Sequence, residues 1–373
     1  MKIKTFKVEQ WMNDFEDDAI YNLGETCVDS MTLGELIELS GQKPEEYLSA
    51  LKDKRMTYGH IYGSPELLKG IASLYKNIST SQVIPTHGAI GANHQVIISL
   101  IDPEDNMVSV MPTYQQHYSI PESIGAEVRV LPLKPENNFL PDLDLLRSLV
   151  DKNTKMISIN NPNNPAGSWI PEDMLMEIVE IAKSVDAYIL SDEVYRGISE
   201  DGSYMVSIAD IYEKGISVGS MSKIFSLAGL RMGWIVSRDE EVIDACLKRR
   251  DYDTISCGQL DDLFASLALA NKEKIIERNR KIVLTNREIL DQWVKETPEV
   301  SYVKPLAGTT ALVYYDKDIP SYDLCVKLIR EKGVLFTPGS CFDLEGCVRI
   351  GYAFDSKTLR TGLDKFTELL REI

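Results

Sequence analysis

The chain has four histidines in 373 residues, His60, His87, His94 and His117, and none has metal-ligand spacing, so they are expected to be structural rather than a metal centre. Cysteine is also sparse: Cys27, Cys246, Cys257, Cys325, Cys341 and Cys347 are scattered, with no Cys-x-x-Cys pair. That argues against a disulfide framework, and free buried thiols are the expectation. No stretch approaches the roughly 20 apolar residues of a membrane span. The opening MKIKTFKVEQWMNDFEDDAIYNLGE lacks the apolar core of a secretory signal, so a cytoplasmic protein is expected. Positive charge falls short as well, 40 basic against 57 acidic residues for a net charge of −17, which opposes nucleic acid and anionic membrane surfaces as partners. Repeats, low-complexity tracts and Ser/Gly-rich linkers are missing. What remains is a chain long enough for a large core and, on length, for two domains.

From about residue 64 to 260, short apolar segments alternate with helical patterns, as expected of parallel strands joined by crossover helices. Strands are predicted at 106–111, 127–131, 155–159, 187–191, 216–219 and 233–236, and the spacing of apolar residues predicts a helix over 172–185. The fold class is therefore α/β, a large domain with a mostly parallel sheet flanked by helices, taken as residues 45–260. Residues 261–296 read as almost wholly helical, and short strand-like pieces follow (SYVKPL, TTALVYY, CVRIGYAF). Residues 1–44 and 261–373 are expected to form an N-terminal segment and a smaller α+β domain.

In open α/β sheets ligands bind beyond the carboxyl ends of the strands, so the residues just after each strand carry the chemistry. After 216–219 comes Ser220-Met221-Ser222-Lys223, with Arg231 eight residues beyond the lysine. An amine that attacks a carbonyl must be neutral part of the time, and nearby positive charge or desolvation lowers its pKa; Arg231 is the expected source of that field. Two hydroxyls and a guanidinium also suit a phosphate dianion. A plain surface loop entering a helix would account for the bare run equally well. After 155–159 the chain reads Asn160-Asn161-Pro162-Asn163-Asn164-Pro165-Ala166-Gly167, a tight turn offering amides. After 187–191 it reads Asp192-Glu193-Val194-Tyr195, where an acid at the end of a buried strand is costly unless it meets a cation. Together the three loops offer an amine for a carbonyl, an acid for a ring cation, donors for a phenolic oxygen and a phosphate nest, the features of pyridoxal 5'-phosphate.

These residues, in this order, resemble the class I/II aminotransferase family of fold type I pyridoxal-phosphate enzymes, and the resemblance extends over nearly the whole chain. It implies an aspartate aminotransferase-like fold in which Lys223 attaches the cofactor and Ser220, Ser222 and Arg231 hold its phosphate. It also implies that Asp192 pairs with the ring nitrogen, and that Asn164 and Tyr195 bond the ring 3'-oxygen. Thr86-His87-Gly88-Ala89-Ile90-Gly91-Ala92 resembles the family's Gly-rich turn into a helix, which assigns the amides of Ala89 and Ile90 to the phosphate. Tyr114, in Pro112-Thr113-Tyr114, matches the aromatic that stacks on the ring. Tyr58 looks like the tyrosine that reaches the neighbouring subunit's phosphate, which implies a homodimer with shared active sites. Arg349, after Pro338-Gly339-Ser340-Cys341-Phe342, would grip a substrate α-carboxylate alongside Asn164 and Gly24.

Departures fall where substrate is chosen. Leu23-Gly24-Glu25-Thr26-Cys27 keeps the family glycine but not its usual neighbours, and Ala166 stands for a commoner threonine. Arg249 or Arg250 lies about where some aspartate aminotransferases place a second arginine for an acidic side chain, and a solvated charge run fits as well. The resemblance implies a ping-pong aminotransferase of amino acid metabolism acting on an L-amino acid and a 2-oxo acid. Stretches such as THG at 86–88, LKPENNFLPDLDLLR and RRDY are also similar to capreomycidine synthase, which makes an elimination or cyclisation enzyme on the same scaffold the alternative. A non-catalytic cofactor-binding regulator is the alternative of another class. Such a protein is expected to carry a DNA-binding module, for which the chain has no spare N-terminal domain.

Overall fold

Seven segments of the chain form one sheet: β1 (Val83–His87), β2 (Asn106–Met111), β3 (Glu127–Pro132), β4 (Thr154–Asn160), β5 (Tyr188–Asp192), β6 (Gly215–Ser220) and β7 (Met232–Ser237). They are described here from a computed structural model that covers residues 2–199 and 204–373. Their order across the sheet is β1-β7-β6-β5-β4-β2-β3. All neighbours pair in parallel except β7, which runs antiparallel to both β6 and β1. The mostly parallel sheet expected from the sequence is thus present, each predicted strand lying within a residue or so of the observed one. The strand β1 was not predicted. It is short, ends in the polar pair Thr86-His87 and runs straight into a helix, so it carries no alternation of its own.

The central strands are buried along nearly their whole length, which is why they read as continuous apolar runs rather than as alternating patterns. Helices α1 (Lys7–Phe15), α2 (Gly88–Leu100), α3 (Gln116–Ile124), α4 (Glu172–Ser184), α5 (Glu240–Asp253), α6 (Lys272–Glu296) and α7 (Ser356–Glu372) are the elements that matter most here. The helix predicted over 172–185 is α4, which buries Leu175, Ile178, Val179 and Ala182 at the spacing of one helical face. Beyond the 25-residue α6 a second sheet is built from β8 (Val300–Tyr302), β9 (Thr310–Tyr315), β10 (Thr337–Pro338) and β11 (Cys347–Gly351), in the order β10-β11-β9-β8 and antiparallel throughout. Here SYVKPL shortens to a strand ending at Tyr302, since Pro305 cannot donate to a ladder.

One apolar cluster runs across the two sheets, from Trp234 and Val236 of β7 through Phe264 and Phe336 to Phe366 of α7. The N-terminal segment is stitched to this body: Tyr21 and Asn22 pair in parallel with Val334 and Leu335, and the Trp11 indole donates to the Phe336 carbonyl at 2.9 Å. That anchoring brings α1 over the edge of the large sheet. All six cysteines are free, and Cys257 alone among them is only half-buried. Among the described residues no helix is long and apolar enough to cross a membrane.

Candidate active site

The informative loops leave the large sheet along one edge because of its register. Asn160 at the end of β4 lies opposite Asp192 at the end of β5, which is paired with Val218 of β6; Ser220 of β6 lies opposite Gly233, and His87 opposite Met232. Since β7 is antiparallel, its start lies among the other strands' ends, and Arg231 returns to the edge that Lys223 left. A cleft of about 320 Å³ opens there. Its lining includes Gly24, Ala89, Ile90, Tyr114, Asn164 and Asp192, together with Tyr195, Ser220, Ser222, Lys223, Arg231 and Arg349. Of the candidate residues Tyr58, Arg249 and Arg250 are left out.

Lys223 Nζ is 2.6 Å from Thr26 Oγ1, to which it donates, and 3.6 Å from Cys27 Sγ. Both belong to the N-terminal segment, nearly 200 residues away. Burial by itself favours the neutral amine, yet attraction to Cys27, Tyr195 and Glu25 outweighs it and holds the lysine above its ordinary range. Of these three only Glu25 carries charge at neutral pH, because burial pushes the Cys27 thiol up to about 11 and raises the Tyr195 phenol. Glu25 is held ionised, against the cost of its burial, by Lys223 and the backbone amides of Cys27 and Thr26. The sequence pointed to Arg231 as the cation that lowers the lysine's pKa. In the folded protein the cation acting in that direction is Arg349, and the net effect is upward.

Asp192 is 5 % exposed. Asn93 Nδ2, one turn inside α2, donates to Asp192 Oδ2 at 2.8 Å. His117 Nε2 lies 3.6 Å from the same oxygen, while its Nδ1 is 2.6 Å from Ser158 Oγ. The Val194 amide donates to Oδ1 at 3.2 Å. Neither Asn93 nor His117 belongs to a strand-end loop, which is why motif reading missed both. Their signal is only that each lies on the helix that follows a strand, directly for Asn93 and after four residues for His117.

At the opposite side of the cleft, α2 begins with Gly88 and has no side-chain cap, which leaves the Ala89 and Ile90 amides free to face an anion. Arg231 takes a left-handed conformation, φ 47°, that aims its guanidinium at this helix start. A Cβ on Gly88 would stand 2.8 Å from Arg231 Nη2. Ser220 and Ser222 complete this side, with the Ser222 amide donating to Ser220 Oγ at 3.3 Å.

Arg349 on β11 is 3 % exposed, and its fork donates to Asn164 Oδ1 at 3.3 Å, the Gly24 carbonyl at 3.0 Å and Thr337 Oγ1 at 2.9 Å. Its Nε has no partner among the described residues, nor has the Tyr195 hydroxyl, which is near Thr26. Tyr114 donates to Glu9 of α1 and packs on Phe6 with ring centroids 4.6 Å apart. Burial and the Glu9 carboxylate raise its pKa. The N-terminal segment, left open by the sequence, therefore forms a wall of the cleft through Val8, Glu9, Met12, Glu16, Glu25, Thr26 and Cys27.

Tyr58 is 69 % exposed and lies in a separate depression with His60 and Gln259. Arg249 is directed to Asp253, 3.5 Å away, and Arg250 is buried over the Tyr62 ring, so neither lines this chain's cleft.

The sequence matches the family profile described as aminotransferase class I and II over residues 24–366. Capreomycidine synthase from Streptomyces vinaceus is 27% identical over 97% of this chain and 93% of its own length. An aspartate aminotransferase from Pyrococcus horikoshii is 30% identical over 83% of this chain and 81% of its own. The crystal structure of a PLP-dependent aminotransferase from Streptococcus suis superimposes with a TM-score of 0.96 at 46% identity, covering 100% of this chain and 99% of that one.

Proposed function

Because the chain belongs to the aminotransferase class I and II family, we propose that it moves an amino group between an L-amino acid and a 2-oxo acid by a ping-pong mechanism. Its cofactor is pyridoxal phosphate, and the residues present fit that group. The helix start of α2 is kept open by Gly233, whose added Cβ would lie 2.3 Å from the Gly88 carbonyl carbon and 2.6 Å from the Ala89 nitrogen. The buried hydroxyl of Tyr195 lacks the partner that a ring oxygen would supply. We assign Ala89, Ile90, Ser220, Ser222 and Arg231 to the phosphate, Asp192 to the ring nitrogen, Asn164 and Tyr195 to the ring oxygen and Tyr114 to the ring face. In a homodimer, Tyr58 of one protomer would reach the phosphate site of its partner.

The cofactor supplies an aldehyde that condenses with amines and a cationic ring that takes up the electrons left when a substrate loses its Cα proton. The protein's own residues do the rest. Arg349 orients the substrate by its α-carboxylate, with Asn164, Gly24 and Thr337 holding the guanidinium in place. Asp192, fixed by Asn93, keeps the ring nitrogen protonated by direct charge attraction. Lys223, the attachment point, is the base that accepts the Cα proton, and Thr26 Oγ1 holds its amine at one point of the cleft. Val8 and Met12 of α1 add apolar surface to the cleft wall.

The observation that carries the reading is the convergence of a base, a ring-pairing acid, an anion cradle and a buried guanidinium on one cleft. The test is a single turnover: an amino donor alone should convert bound cofactor to its pyridoxamine form, and a 2-oxo acid should restore it. The similarity to capreomycidine synthase over nearly the whole chain supports a second reading, elimination or ring closure. Release of ammonia or a cyclised product without that conversion would favour it.

A further inference from the structure

We infer that the cleft selects an amino donor whose side chain is positively charged, an inference that rests on the transamination reading. Three cations line the cleft, Lys223, Arg231 and Arg349, and each is already committed to the cofactor or to the α-carboxylate. None is left for an acidic side chain. The wall formed by the N-terminal segment instead presents three carboxylates, Glu9 and Glu16 from α1 and the turn after it, and Glu25 next to Gly24. Gly24 is also the residue whose carbonyl holds Arg349, so the α-carboxylate grip and the acidic wall begin at adjacent positions of the chain.

Each carboxylate has a neutral partner: Tyr114 for Glu9, the Asn22 amide at 3.2 Å for Glu16, and two backbone amides for Glu25. Among the described residues none of the three forms an ion pair, and Lys7, on the same helix as Glu9, is directed to Asp343. Glu25 shares its charge with Lys223, whereas Glu9 and Glu16 have no cation paired with them among the described residues, and burial, then repulsion from Glu25, raise the pKa of Glu16. A further buried acceptor lines the cleft: Gln116 is 7 % exposed, its amide nitrogen donates to the Ile90 carbonyl at 2.9 Å, and its Oε1 has no donor. Val8 and Met12 offer apolar surface for a methylene stem. A flexible stem ending in an ammonium or guanidinium satisfies this wall, whereas a carboxylate meets like charge.

The experiment uses the holoenzyme and follows the cofactor's visible band during single turnovers with L-lysine, L-ornithine, L-arginine, L-norleucine, L-glutamate and L-aspartate. A cationic amino acid should react with a second-order constant about 100-fold above those of glutamate and aspartate. Glu16→Gln should lower that constant about tenfold through KM, with kcat and the norleucine reaction within about twofold of wild type, and Glu9→Gln, which also releases Tyr114, should lower the constant for the cationic donor about tenfold more than that for norleucine. Preference for an acidic or neutral donor, or an equal loss for norleucine and the cationic donor, would overturn the inference. A second measurement separates this from a failure of transamination. Calorimetric binding of 5-guanidinopentanoate, the arginine skeleton without its amine, is compared with that of glutarate on the wild-type holoenzyme. If no amino acid converts the cofactor yet the guanidino compound binds about tenfold tighter, transamination fails and the acidic wall stands; tighter glutarate binding refutes the wall. The same comparison decides the matter if either variant does not fold.

Discussion

Gly233→Ala tests whether the start of α2 is a built anion cradle. Residue 233 lies on β7 opposite Ser220, and an alanine Cβ there would meet Gly88 C at 2.3 Å, Ala89 N at 2.6 Å and Gly88 O at 2.7 Å. All three are backbone atoms, so no rotamer change relieves the contact. Ordinary contact begins at 3.4 Å, so the helix start must retreat by roughly 1 Å, the scale of displacement that costs about 100-fold where geometry matters. The amide lost to the phosphate is Ala89's own. The dissociation constant for pyridoxal phosphate should rise about 10- to 100-fold, equivalent to about 1.4 to 2.8 kcal/mol, and the apoprotein should lose about 1 to 3 kcal/mol of stability from overpacking. Titration of apoprotein with the cofactor measures the first and a thermal melt without cofactor the second. Gly229→Ala is the control, because nothing lies within 4 Å of a Cβ there although the position is two residues from Arg231. A Gly233→Ala protein that binds the cofactor within twofold of wild type would refute the reasoning, as would equal losses in the two variants.

Asn93→Ala removes the amide donated to Asp192. A hydrogen bond to a charged group contributes about 1.5 to 3 kcal/mol, so turnover of the holoenzyme should fall about tenfold or more in steady-state kinetics. Turnover within twofold of wild type would dissociate Asn93 from the function of that carboxylate. Glu25→Gln removes one of the three neighbours, after Cys27 and Tyr195, whose attraction holds Lys223 above its ordinary range, so the amine becomes neutral at lower pH. The pH profile for cofactor attachment to the apoprotein should then shift downward, and an upward shift would contradict the assigned sign. Cys27, with its thiol at about 11, has on the order of 0.1 % thiolate at pH 8 against about a quarter for an ordinary cysteine. Iodoacetamide should label it about 100-fold more slowly than a free thiol, as read by mass spectrometry of the peptide; labelling at the free-thiol rate would show that the thiol is not so buried. For Tyr58, co-refolding Lys223→Ala chains with Tyr58→Ala chains should recover activity that neither has alone if the residue acts across a dimer, and no recovery would place its role within one chain.

The loop residues were legible because they obey short-range rules. A strand ending in a polar residue puts that residue at the sheet edge, and parallel pairing aligns the edges, so Asn160, Asp192 and Ser220 converge by register alone. The edge strand β1 escaped because five residues ending in Thr86-His87 show neither period. Tyr58 and Arg249 were flagged by position in the chain, and neither lines the cleft.

The sequence by itself determined the α/β sheet, the order of amine, acid and amides along its edge, and hence the family chemistry, because each depends on residues a few positions apart. Only the tertiary structure decided what surrounds them. Thr26, Cys27 and Glu25 come to Lys223 from nearly 200 residues away, and Asn93 comes to Asp192 from 99. Electrostatic effects sum over space, not along the chain. The nearest basic residue in sequence, Arg231, therefore leaves the lysine's pKa to burial, Cys27, Tyr195, Glu25 and Arg349, and the N-terminal helix supplies an acidic wall that no local pattern announces.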